Sequence, residues 1–116
     1  MPKHLGSCHC QKVRFEVDAD IDKVMQCNCS ICARVGWLLV FVPADRFKLL
    51  SGEDDLKDYQ FGRHHLHHTF CTTCGIHAFS SGERPGGGAT FAVNTRCLPD
   101  LDAVKLPVQS FDGKSL

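Results

Sequence analysis

Cys71-Thr72-Thr73-Cys74-Gly75 is a C-x₂-C pair followed by glycine. This is the usual form of a zinc knuckle: the tight turn points both sulfurs at one ion, and Gly75 can take the positive φ that such a turn tends to need. Outward from it, Cys8-His9-Cys10 is a C-x-C pair, which does similar work on extended backbone because side chains at i and i+2 share a face. Cys27-Asn28-Cys29-Ser30-Ile31-Cys32 lies between them, and Cys97 is left over. Two plus two closes a tetrahedral four-thiolate site, whereas the middle group offers three thiolates and no fourth. A closed site holds a fold together; a site with three protein ligands can hold a substrate.

The same eight cysteines could be read as a disulfide framework, since the count is even and the chain short. Spacing and context oppose that reading. MPKHLGSCHC has no apolar h-region, no apolar run approaches the roughly 18 residues of a membrane span, and cysteines one residue apart are poorly placed to bond each other. The expectation is metal, zinc before iron, in a reducing cytoplasm. A chain of 116 residues is expected to form one domain over 1–116, with a modest core that zinc supplements. With 13 basic and 13 acidic side chains the formal charge is zero, which leaves no basic field to collect nucleic acid or an anionic membrane. The balance points to a small-molecule or protein partner.

Turn residues cut the rest of the chain into short strands, so the expected class is mainly β. Val13 to Val17 alternates apolar and polar, Trp37 to Val42 is a continuous apolar run ended by Pro43, and Phe47 to Leu50 is closed by Ser51-Gly52. Asp55 to Phe61, Leu66 to Phe70, His77 to Ser80 and Thr90 to Asn94 continue the pattern, with Glu83 to Gly88 as a loop. One helix is expected, Ser30 to Val35, with Ser30 as N-cap and Gly36 as stop.

Five stretches in order carry a resemblance: Gly6-Ser7-Cys8-His9-Cys10, Cys27 to Cys32, Phe70-Cys71-x-x-Cys74-Gly75, Val93-Asn94-x-Arg96-Cys97-Leu98 and Phe111-Asp112-Gly113-Lys114. Together they resemble the glutathione-dependent formaldehyde-activating enzyme and centromere protein V family over nearly the whole chain. Tyr59-x-Phe61-Gly62-x-His64-x-x-x-His68-x-Phe70-Cys71 is similar to the centromere protein V side in particular. The resemblance implies a mainly β, Mss4-like (β-tent) fold with two zinc ions per chain. One would be structural, on Cys8, Cys10, Cys71 and Cys74; the second would sit on Cys27, Cys29 and Cys32. It also implies a carbon–sulfur lyase that joins a small thiol such as glutathione to a small aldehyde.

Three thiolates on a dication leave a net negative charge, so the second site should activate water poorly and favour a further soft ligand. A thiol entering there would be deprotonated, and an aldehyde carbonyl held beside it would receive the sulfur. The candidate substrate residues are Asn94 and Arg96, an amide and a guanidinium suited to carboxylates, and His64 and His68 as proton carriers. If Leu66 to Phe70 is a strand, His68 shares a face with Leu66 and Phe70 while His67 faces the other way; His9 should point away from the metal its neighbours bind. Cys97 either completes or flanks the three-thiolate site, or is a small buried apolar residue, the commoner state of a free cysteine. Trp37 and Phe41 read as core. The alternative function is a non-catalytic, zinc-stabilised protein-interaction module, since a fold alone does not fix an activity.

Overall fold

The structure, a computed structural model, describes residues 2–62, 64, 66–83 and 86–115. Its strands are β1 (Lys3–Ser7), β2 (Arg14–Asp18), β3 (Val24–Cys27), β4 (Leu39–Pro43), β5 (Phe47–Ser51), β6 (Leu56–Tyr59), β7 (Leu66–Cys71), β8 (Phe79–Glu83), β9 (Ala89–Asn94) and β10 (Val108–Phe111), with one α-helix, α1 (Ser30–Val35), between β3 and β4. The mainly β class and the single short helix are as expected. The alternation in β2 builds the first layer, because Phe15 and Val17 bury one face while Arg14 stays exposed on the other. β2 lies between β1 and β5 in a three-stranded antiparallel sheet. The second sheet has seven strands in the order β10-β3-β4-β9-β8-β7-β6, antiparallel except for the parallel pair β10–β3.

The two sheets share a core, and aromatic rings knit it together. Phe47 of β5 stacks on Phe91 of β9 at 4.2 Å and on Phe15 of β2 at 5.5 Å, and Phe79 of β8 meets Phe47 at 4.7 Å. Such ring pairs add about 0.5–1.5 kcal/mol each beyond the area they bury. Val42 and Val93 close the core from the large sheet. The apolar run before Pro43 has a two-sided explanation. Val40 and Val42 of β4 face this core, whereas Leu39 and Trp37 pack with Ala92 in a separate cluster on the opposite face.

The strand expected over 55–61 is shorter at both ends, and that expected from His77 begins at Phe79 and runs to Glu83. β1, β3 and β10 were not anticipated: β1 buries only Gly6, and β10 is exposed along its length, so neither carries the alternation that marks a strand. α1 has the expected bounds, and Gly36 ends it in the left-handed region at φ 75°. The expected cap shifts by one residue. Cys29 has the extended N-cap backbone, and its carbonyl accepts the first helical bond, from Ala33 N–H. Arg84 and Pro85 of the expected loop, and His65, lie outside the described residues.

Candidate functional site

Cys8 and Cys10 flank the bend between β1 and β2, Cys71 ends β7, and Cys74 lies in the turn that follows. All four sulfurs lie within 4.8 Å of one another, with Cys10 Sγ 3.6 Å from both Cys8 Sγ and Cys71 Sγ. These spacings are far beyond the ~2.05 Å of a disulfide. A tetrahedral ion with the ~2.3 Å zinc–sulfur distance demands edges of about 3.8 Å, so the cluster fits such an ion. The turn works as its glycine suggests: Gly75 has φ 78°, and its N–H donates to the Cys71 carbonyl at 2.8 Å.

Backbone N–H groups converge on the knuckle sulfurs. Burial acts to raise the Cys74 thiol, but the N–H groups of Cys10 and Ile76 outweigh it and bring the pKa down to about 6. Cys71 is lowered, first by the Cys74 N–H. At Cys10 the Lys12 N–H acts to lower the pKa, yet burial and the neighbouring sulfurs push it up to about 11. Ionised sulfurs this close oppose one another, and a dication at their centre removes that opposition.

Cys27 ends β3, Cys29 caps α1 and Cys32 lies within its first turn. Their three sulfurs also lie within 4.8 Å of one another. Burial acts to raise Cys29, but the Cys32 N–H and the Cys32 and Cys27 side chains bring it below its ordinary value. Cys32 is pushed up to about 12, chiefly by burial, against the lowering effect of the Trp37 indole. The segment after β10 forms one wall of this group. β10 pairs with β3 so that Phe111 lies opposite Cys27, and Asn28 N–H donates to the Phe111 carbonyl at 3.2 Å. The Asn28 side chain donates to Asp112 Oδ1 at 2.9 Å and accepts from Lys114 N–H at 2.9 Å. Hydrogen bonds from Ser115 and Asn28 hold the Asp112 carboxyl below its ordinary range. A Cβ at position 113 would stand 2.6 Å from Cys27 Sγ, so glycine is the residue that lets this segment lie against the sulfur.

The three cysteines open into a cleft of about 800 Å³ on the outer face of the seven-stranded sheet. Strand register explains the hollow. Phe41 of β4, Ala92 of β9 and Ser80 of β8 form one cross-strand row; Thr90, Gly82 and Leu66 form the next. Small residues over the two central strands leave a trough. Trp37 and Phe41 stand on one side of it, Phe61, Leu66 and His68 on the other, and Phe111 beside the cysteines. A separate concavity of about 470 Å³ over residues 49–55 contains no cysteine.

His68 and the three cysteines are brought together, whereas His64, Asn94 and Arg96 are not among the described residues lining the cleft. His68 is buried, its Nδ1 is 3.1 Å from the Tyr59 carbonyl and its ring stacks on Phe61 at 5.2 Å. A carbonyl only accepts, so the neutral ring carries its proton on Nδ1 and leaves Nε2 as acceptor. His64 is exposed. Asn94 uses both ends of its amide within the chain: Nδ2 donates to the His77 carbonyl, and Oδ1 accepts from Arg96 N–H to cap the 3₁₀ turn Thr95–Cys97. Arg96 is exposed on that turn.

His67 turns away from His68's face to a contact of 2.5 Å with Asp58, and His9 is exposed. Cys97 packs on the inter-sheet core beside the other cysteine group. Burial, then the charges of Cys8 and Cys74, push it up to about 11, and it is not part of the three-sulfur group. Of its two readings, the structure agrees with the small apolar residue packed against the core. The reading of Phe41 as core is corrected, because it lines the cleft and stands open to solvent; Trp37 is core as expected, 2 % exposed and packed with Leu39 and Ala92, and its ring also forms part of the cleft wall. The wall of Asn28, Gly113 and Lys114 escaped functional assignment, although Phe111-Asp112-Gly113-Lys114 stands out as a motif.

Among solved structures, the crystal structure of a Rhodobacter sphaeroides protein, a Northeast Structural Genomics target, is similar with a TM-score of 0.77 and 28% sequence identity, covering 93% of this chain and 100% of that one. The sequence model of the family described as glutathione-dependent formaldehyde-activating enzyme matches residues 3–112, the span that holds both cysteine groups. That match covers nearly the whole chain, and the chain belongs to the glutathione-dependent formaldehyde-activating enzyme family.

Proposed function

We propose that the protein is a zinc-dependent carbon–sulfur lyase that reversibly joins a small thiol such as glutathione to an aldehyde such as formaldehyde. The observation that carries this reading is the three-cysteine group at the mouth of a cleft, set apart from a four-cysteine group in the core. A zinc ion held by Cys27, Cys29 and Cys32 supplies a soft electrophilic position that favours the thiolate form of a thiol at neutral pH. The chain supplies the rest. Trp37 and Phe41 keep water from one side of the cleft, and the Phe111–Lys114 segment keeps Cys27 in register.

In the joining direction a sulfur–carbon bond forms, the carbonyl π pair moves to oxygen, and the thiol proton ends on that oxygen. No oxidant or reductant is needed. His68, with Nε2 as its acceptor, is the candidate carrier of that proton. Thiols add to formaldehyde unaided, so the protein's contribution is positioning. A reducing compartment such as the cytoplasm suits both the free thiols and the substrate.

The test uses Cys29→Ser in cobalt-substituted protein. The variant should stay folded while losing both the thiol-induced change in the cobalt spectrum and the rate of hemithioacetal formation. A wild-type rate no faster than the uncatalysed condensation, with no cobalt response to thiol, overturns the lyase reading and leaves an interaction module.

A further inference from the structure

Formaldehyde, one carbon and one oxygen, has almost no apolar surface, and glutathione presents carboxylates, amides and an ammonium. The cleft answers neither description. At about 800 Å³ it lies within the ~300–1,000 Å³ range of small-molecule sites, far more room than formaldehyde needs. Its charged side chains among the described lining residues are Lys114 and Glu83, one of each sign. Aromatic and aliphatic groups dominate, and Phe41, Phe61, Leu66 and Phe111 remain 47%, 39%, 43% and 43% exposed around the trough. Scattered exposed apolar residues are ordinary; gathered around one concavity that contains the three sulfurs, they mark a surface shaped for a ligand. The glycine and small side chains of the central strands, Gly82, Ser80 and Ala92, keep its floor clear.

We infer that the thiol–aldehyde adduct handled here carries an apolar group, an alkyl chain or aromatic ring, which lies along the trough between Phe41 and Leu66 while the sulfur sits at Cys27, Cys29 and Cys32. The inference deepens the lyase reading and rests on it for the position of the sulfur. The chain could enter on the aldehyde or on the thiol, and the chemistry recognised is the same.

Binding provides a readout separate from turnover. Trp37 is the chain's one tryptophan and lines the cleft, so its emission reports occupancy. S-hexylglutathione and S-methylglutathione are stable thioethers that differ by a run of methylenes. A buried methylene is worth up to about fourfold in affinity, so partial burial of the hexyl chain predicts at least about tenfold tighter binding than the methyl analogue. Phe41→Ala, a change at an exposed strand position, should reduce that preference about threefold. Equal affinities within about twofold, or no change in Trp37 emission with either compound, overturn the inference.

Rates above the uncatalysed background then locate the chain: hexanal with glutathione, formaldehyde with hexanethiol, and formaldehyde with glutathione. A preference for either of the first two supports the inference and identifies which reactant bears the chain; the fastest acceleration with the third overturns it. No acceleration in any arm, with hexyl-selective binding intact, removes the lyase reading and leaves the apolar ligand class standing.

Discussion

The two cysteine groups differ less in chemistry than in what surrounds them. Cys71, on the core-facing side of β7, is 0% exposed, and Cys8 is buried with it among Phe15, Phe79 and Leu98. Cys27, Cys29 and Cys32 occupy a strand end and a helix start on the outer face of the same sheet, open to a cleft. The first group joins elements some sixty residues apart in sequence, at Cys10 and Cys71. The second spans six residues of local chain, and its long-range tie is made by Asn28 and Gly113. A metal in the core group therefore acts on folding, and one in the outer group acts mainly on ligands.

The largest effect tests the core group. Structural zinc contributes about 10–16 kcal/mol of apparent binding free energy in small zinc folds, against about 5–15 kcal/mol of total stability for a typical domain. Cys71→Ser should therefore yield insoluble or partly unfolded protein, read by soluble yield and far-UV circular dichroism. A variant with the wild-type melting temperature would erase the distinction between the groups.

Chelation tests the difference without mutation. Three protein ligands in an open cleft should release metal more readily than four in a core. Mild chelator is expected to remove one equivalent of zinc with the circular dichroism unchanged, and a second only on unfolding. Release of both in one cooperative step would merge the two roles.

The smallest effect sharpens the comparison. In Gly113→Ala the new methyl group meets Cys27 Sγ, so either the sulfur or the Asn28-tied segment must move. Changes to groups that support metal ligands typically cost ~10–100-fold in affinity, and about tenfold is expected here at the outer group alone. Competition with a chromophoric chelator measures it. Equal weakening of both metals would show that the segment acts on the whole fold.

The elements legible in the sequence were those specified by neighbours along the chain. The knuckle at Cys71-Thr72-Thr73-Cys74-Gly75, the helix Ser30–Val35 and the alternating strand around Phe15 and Val17 all appear at their expected places. The less legible elements lacked a burial pattern. β10 is exposed throughout and earns its place by parallel pairing with β3. Likewise, Phe41 reads as core because an apolar run does not say which of its residues are left uncovered, and in the structure it is open to solvent.

By itself, then, the sequence determined the ligand chemistry, since the spacing within a tight turn or across one strand residue dictates which sulfurs can meet one ion. It also determined the family, through motifs kept in order along the chain. Tertiary structure alone decided that Cys97 sits with Cys8 and Cys74, that Asn94 serves a turn, and that a trough runs beside Cys29. The reason is geometric: the trough exists because Phe41, Ala92 and Ser80 share a row across three strands, and strand order, not position along the chain, makes them neighbours.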